Sequence, residues 1–369
     1  MDPFSQAALG AVVGQLAGHR TLGYRAAICG AAAGALPDVD VLFSLGGDFV
    51  DQLVMHRGIT HSLFFAPVAG PLLGWCIWRW RRQKSPDENP AREQRAWILV
   101  CTLAMLSHPL LDLLTPFGTQ LLLPFSNARF AVNAMPIIDP VYTLLLAMGL
   151  LLAWLPALRR RWPAERTALL TLLLSTAYLG YGWLQNQRAE DAASAQLAAA
   201  GIEVEQLAAF PTLLQVHLRR VVARSPTLDR VGFYSTWAPC EIVWHARPRA
   251  PESAYQAFLR TREGRVFQWF GMGWVHYRLA SGPDGRFLLA SDLRYGFSDD
   301  PSASVFTVRT RIDDQGRPTG PIVAGRSTPD GAEHVLNRLL TNTYAPACRL
   351  FSGGRLHHNG GQPPGVGET

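Results

Sequence analysis

The stretch His56-Arg57-Gly58-Ile59-Thr60-His61-Ser62, followed two apolar segments later by Ser107-His108-Pro109-Leu110-Leu111-Asp112, decides how this chain is read. Imidazoles and carboxylates set in hydrophobic sequence are expensive to keep in lipid unless they bind something. His108 and Asp112 are four residues apart, so on a helix both leave one face and can reach one ion. His56 and His61 flank a glycine-containing turn that can bend until both rings converge. Upstream, Asp38 and Asp40 follow Pro37. Two residues apart, they cannot share a helical face, but an extended or turn segment can aim both inward.

Outward from these residues the chain divides in two. It has 369 residues, 48% of them hydrophobic and 17% charged, and the apolar residues crowd the first half. That pattern predicts a mainly α, polytopic transmembrane helical bundle over residues 1–185, joined to a soluble unit over 186–350. The small-residue runs Ala7 to Gly18 and Ala26 to Leu36 are each short for a full span and predict a tight helical hairpin packed within the bundle. Spans are expected at Ser62 to Trp78, Ala96 to Leu114, Ile137 to Leu158 and Thr167 to Leu184. No basic segment precedes the first apolar run, so a cleaved signal peptide is not expected.

Arg79, Arg81, Arg82, Lys84, Arg92 and Arg95 fill one loop between spans, and Arg159, Arg160, Arg161 and Arg166 fill another. The positive-inside rule makes both loops cytoplasmic. The candidate ligands and the soluble unit then share the extracytoplasmic side. Orientation also accounts for most of the net charge of +6, so no nucleic-acid partner is expected.

Beyond Leu184, the residues from Gln185 to about Arg224 read as helical. Arg230 to Trp244, Arg265 to Ala280, Arg286 to Tyr295 and Ser304 to Ile312 read as strands between turn signals, giving a C-terminal α+β unit of mostly antiparallel β structure. The Gly- and Pro-rich residues 351–369 read as a disordered tail. Of five cysteines, Cys29, Cys76 and Cys101 lie in apolar runs, whereas Cys240 and Cys348 fall in the soluble unit and could pair if it is exported.

His56, His61, His108, Asp38, Asp40 and Asp112 together exceed one closed tetrahedral zinc site and suit either two metals or one ion with supporting groups. Mixed nitrogen and oxygen donors fit zinc, manganese or iron and argue against calcium. A divalent metal here would activate water for hydrolysis, with Asp38 or Asp112 as general base. Arg57, Thr115 and Gln120 are candidate substrate contacts, with Arg129 as a further phosphate donor; Thr60 and Asp139 are candidate supports for the ligands. Competing structural roles exist: Asp38 and Asp40 can cap a helix, and Asp139 can cap one that begins at Pro140.

The ordered set Met1-Asp2, Gln6-Ala7, Leu9-Gly10, Leu36-Pro37-Asp38-Val39-Asp40, His56 to Ser62, His108 to Asp112, Thr115-Pro116-Phe117-Gly118-Thr119-Gln120-Leu121-Leu122 and Ile137-Ile138-Asp139-Pro140-Val141-Tyr142-Thr143 resembles the YdjM-like family of bacterial inner-membrane proteins, over roughly residues 1 to 185. The resemblance implies a metal-dependent hydrolase distantly similar to zinc-dependent phospholipase C, and with it a membrane lipid or lipid-linked ester or phosphoester as substrate. One position departs: Ser5-Gln6 stands where many members carry Thr-His, which leaves the metal count open. Two other classes stay open from the residues alone, a non-enzymatic membrane adaptor with a structural metal and a metal-ion transporter.

Overall fold

The computed structural model describes residues 1–84, 89–155, 162–283, 285–326 and 332–344. Arg159, Arg160, Arg161, Cys348 and the expected tail lie outside the described residues. The chain opens with α1 (Pro3–Leu22), which begins where Asp2 accepts hydrogen bonds from the backbone of Phe4 and Ser5 and Pro3 takes the first helical position. Gly23, at a φ of 60°, turns the chain into α2 (Arg25–Ala35). The two helices cross in backbone contact. A Cβ on Gly10 would lie 2.3 Å from the Gly30 carbonyl oxygen, and one on Gly30 would lie 2.2 Å from that of Gly10. Only glycine permits such an approach. The α2 helix then tightens into a 3-10 segment, Leu36–Ser44, which carries Asp38 and Asp40.

Next come α3 (Phe49–Met55), a 3-10 turn at Ile59–His61, α4 (Phe65–Lys84) and α5 (Pro90–Leu113). A loop leads to α6 (Pro140–Trp154) and then to α7 (Ala164–Ala199), a helix of 36 residues. Among the described residues, three helical stretches are long and apolar enough to cross a membrane: Arg25–Ser44, Pro90–Leu113 and Ala164–Ala199. The pair Phe49–His61 and Phe65–Gln83 is bent by 66° and makes a fourth if taken as one span. The expected span at Ser62 is thus the second limb of a broken helix. The one expected from Ile137 to Leu158 contains a helix of only 15 residues, started by the Asp139 cap.

The C-terminal unit holds two antiparallel four-stranded sheets: β1 (Gln206–Pro211), β2 (Leu218–Arg224), β3 (Leu228–Ser235) and β4 (His245–Pro248) in that order, then β5 (Val275–Gly282), β6 (Gly285–Asp292), β7 (Phe306–Ile312) and β8 (Val323–Arg326). Two expectations are corrected here. The helix read from Gln185 to Arg224 ends at Ala199, and its second half is the β1–β2 hairpin, with Gln206 opposite Arg224. Every residue of β2 is buried, and a strand covered on both faces shows no two-residue alternation to betray it. The strand expected from Arg265 begins as α8 (Arg262–Phe270), capped by Thr261 and burying Phe267 and Phe270 three apart on one face. A last helix, α9, spans Ala332–Tyr344.

The sheet unit is seated on the bundle. Leu53 and Phe117 from the membrane half share one core with Phe267, Phe270 and Phe306. Arg294 pairs with Asp292 at 2.6 Å and donates to the Pro116 carbonyl at 2.8 Å. Arg219, fully buried, donates to the carbonyls of Ala134 at 3.0 Å and Gly182 at 2.6 Å. Both anchors land on the loop after α5 or beside it, the end of the bundle that carries His108 and Asp112.

Candidate metal centre

Three segments deliver the four ligand residues. Asp38 comes from the 3-10 continuation of α2, His61 from the turn before α4, and His108 and Asp112 from the last turns of α5. One ligand atom from each of these four residues lies within 4.8 Å of the others, and the group can hold a metal ion. His61 Nε2 and His108 Nε2 are 2.9 Å apart. Asp38 Oδ1 is 3.4 Å from the first and 3.3 Å from the second, and Asp112 Oδ2 is 3.4 Å and 3.7 Å from them.

The hydrogen bonds behind the rings fix which nitrogen faces the cluster. His108 Nδ1 lies 2.6 Å from the Gly34 carbonyl, which can only accept, so Nδ1 carries the proton. His61 Nδ1 lies 3.0 Å from Thr60 Oγ1 and 3.2 Å from Asp40 Oδ2. A neutral imidazole protonated at Nδ1 presents a lone pair at Nε2. Two such lone pairs at 2.9 Å, flanked by two carboxylates, form a surplus of acceptors with nothing between them to donate. Asp112 Oδ2 is itself a buried oxygen with no hydrogen-bond partner among the described residues. Arg57 Nε approaches it to 2.9 Å, an ion-pair distance, but the N–H is not aligned to donate. A divalent cation satisfies all four atoms at once, and the nitrogen and carboxylate donors match zinc, manganese or iron chemistry.

The glycine crossing explains the Gly34 contact. Gly34 packs against Gly10, where a Cβ would lie 2.8 Å from the Gly10 Cα, so its carbonyl is held at the end of a rigid hairpin and fixes the His108 ring. The other carboxyl oxygen of Asp112, Oδ1, is held by Gln6 Nε2 at 3.0 Å and by the Met1 nitrogen. Gln6 also donates to the His108 carbonyl at 3.3 Å. The sequence assigns Gln6 no role beyond its place in the resemblance and at the one departing position, and carries no signal for Gly34, which acts through its backbone.

The six residues expected as ligands are therefore divided. Asp40 and His56 stand outside the group of four. Asp40 Oδ2 takes the Arg57 backbone N–H at 2.9 Å and the Thr60 hydroxyl at 3.1 Å, while its Oδ1 lies 3.0 Å from His56 Nδ1. It braces the turn and the His61 ring. His56 is separated from His61 by 5.9 Å between ring centroids and keeps 27% of its side chain exposed, against 0% for His61 and His108.

Thr60 sits beside His61, as described. Thr115 Oγ1 accepts from Arg57 Nη1 at 2.7 Å and donates to the Asp112 carbonyl at 2.8 Å. Gln120 ties the loop to the Val54 carbonyl at 3.1 Å. Arg129 spends its guanidinium on the carbonyls of Phe117 and Gly118, at 3.1 Å and 2.7 Å. Asp139 caps α6 through the Tyr142 backbone at 2.9 Å and takes the Tyr178 hydroxyl at 3.1 Å.

The profile of the YdjM inner membrane protein family matches residues 1–189. The chain is 36% identical over 131 residues to Inner membrane protein YbcI of Escherichia coli (strain K12), covering 34% of this chain and 69% of that protein. No solved structure matches the chain. A matched region of slightly more than half the chain, holding all four converging residues, together with this relative, makes the chain a member of the YdjM inner membrane protein family.

Proposed function

We propose that the protein is a membrane-embedded metal-dependent hydrolase acting on a lipid-like ester or phosphoester. The observation that carries the reading is the meeting of two imidazole Nε2 atoms and two carboxylate oxygens, with both Nδ1 atoms tied elsewhere. A divalent cation bound there supplies Lewis acidity and brings the pKa of water toward neutrality. The chain's own groups do the rest. Arg57, buried beside Asp112, places a permanent cation where a phosphoryl or carbonyl oxygen gains negative charge. His56, backed by Asp40 at Nδ1 and partly exposed, leaves Nε2 as the nitrogen that can accept a proton from water or give one to a leaving alcohol. Asp38, with 19% of its side chain exposed, marks the open side of the cluster.

Helix polarity supports an extracytoplasmic location. His108 and Asp112 end α5, while Arg92 and Arg95 begin it; His61 precedes α4, while Arg79, Arg81 and Arg82 end it. With the arginine ends in the cytoplasm, the cluster and the sheet unit lie on the extracytoplasmic side. Cys240 is in a disulfide, which suits an oxidising compartment.

A structural metal in a non-enzymatic adaptor is the second reading, favoured by four protein donors, the usual number for a closed site. Elemental analysis and hydrolysis of ester and phosphoester lipids by the purified, metal-loaded full chain separate the two. The hydrolase reading expects bound metal and turnover in the wild type, with both lost in His61→Ala and in His108→Ala, and turnover but not fold impaired in His56→Gln. Stoichiometric metal with no turnover on any lipid ester tested would leave the adaptor standing.

A further inference from the structure

At the end of α4 remote from the metal centre, Trp75, Trp78, Arg79, Arg82 and Gln83 line a cavity of about 470 Å³. Their spacing, i, i+3, i+4, i+7 and i+8, puts all five on one helical face. Three features single this face out. The Trp78 residue is 8% exposed, yet its Nε1, a donor only, is buried without an acceptor among the described residues. Arg81 turns away to stack at 5.7 Å on the Trp97 ring and lie 3.9 Å from Glu93. Arg79 and Arg82 remain, with no carboxylate among the described residues within ion-pair distance. Among the described residues the site thus offers two guanidinium groups and one indole N–H, all donors, and no anion.

A phosphate group is the ligand that satisfies such a set, because guanidinium groups bind it bidentately and an N–H can complete a third oxygen. The surroundings say what the phosphate is attached to. Val68 (63%), Leu72 (61%) and Trp75 (46%) form an exposed apolar strip running along α4 from the cavity toward the middle of the bundle, the path an acyl chain would take below its headgroup. A zwitterionic headgroup fits less well. Among the described residues no carboxylate waits for its ammonium, and the Trp78 ring that would attract one already carries Arg82 at 5.3 Å.

We propose that this face of α4 is a binding site for the phosphate headgroup of an anionic phospholipid. It is independent of the metal centre. The test is equilibrium binding of fluorescent phosphatidylglycerol, against phosphatidylcholine, to the full chain in nanodiscs. With two arginines each contributing at the surface, the wild type should prefer the anionic lipid by about thirtyfold. Arg79→Gln/Arg82→Gln should bring that preference to within about threefold, and Trp78→Phe, which keeps the ring and removes the donor, should weaken it by about fivefold. Arg81→Gln should leave it unchanged. Equal binding of both lipids to the wild type, or full preference in the double variant, would overturn the proposal. Displacement of the lipid by millimolar inorganic phosphate would overturn the lipid assignment in favour of a free-anion site.

Discussion

Two buried groups of histidine, aspartate and arginine sit in this molecule, one in the bundle and one in the β unit, and they resolve their charges in opposite ways. In the β unit, Asp229 lies between Arg224 and His276, 2.8 Å from each. One carboxylate meets its cation and its ring donor, so the acceptor of this group is satisfied from within it. In the bundle, two rings turn their unprotonated nitrogens toward each other, and two carboxylate oxygens join them. Acceptors accumulate without donors. Similar residue types thus make a structural knot in one place and a cation site in the other, and what separates them is the partner of Nδ1: the group's own carboxylate for His276, and a carbonyl, a hydroxyl or a bracing carboxylate outside the group of four for His108 and His61.

The sharpest way to break the contrast is to remove both rings from the bundle group. The double variant His61→Ala/His108→Ala deletes half of the donors. If the whole site binds with the free energy of a structural zinc, about 5–8 kcal/mol of metal affinity disappears, and elemental analysis should find no bound metal. Removing the centre of the other group should act on stability alone. Asp229→Ala leaves Arg224 and His276 buried without their carboxylate and should cost about 3–5 kcal/mol in denaturant unfolding of the full chain, with metal content unchanged. Metal loss in that variant would erase the distinction drawn between the groups.

A smaller effect probes the bracing behind the ligands. Asp40→Asn weakens the hold on the His61 ring without touching the four ligand atoms, so metal affinity should fall by about 10–100-fold, measured by competition with a chelator. The least effect is an acid limb. Burial opposes ionisation of Asp229, but His276 and Arg224 prevail and hold its carboxyl below the usual range. A carboxyl lowered on folding contributes stability above its unfolded value of about 4 and loses it as pH falls through the folded value. Unfolding monitored by aromatic signals of the β unit should therefore weaken only below about pH 4, and Asp229→Asn should flatten that limb.

How much of this was legible depended on whether a residue acts by its side chain at a fixed spacing. His108 and Asp112 announce themselves by a four-residue interval inside apolar sequence. The turn containing His56 and His61 was visible, but not that it buries one ring and leaves the other partly exposed. Sequence could not show that Asp40 faces outward from the group that Asp38 joins, because both lie in one irregular segment. The Gly34 carbonyl was out of reach, since no side chain marks a backbone acceptor. In the soluble unit, β2 was hidden by burial on both faces, and α8 by aromatic residues that suit either a strand or the buried face of a short helix.

The unbroken run of α7 carries one more consequence. At 36 residues it is roughly 54 Å long, well over the ~30 Å of a bilayer's hydrocarbon interior, and its far end is packed into the first sheet through Ala189 and Ala193. A continuous helix of that length behaves as a strut rather than a tether. Any torque that a binding event exerts on the sheets is delivered straight to the walls of the bundle, so the two halves must tilt and turn as one body.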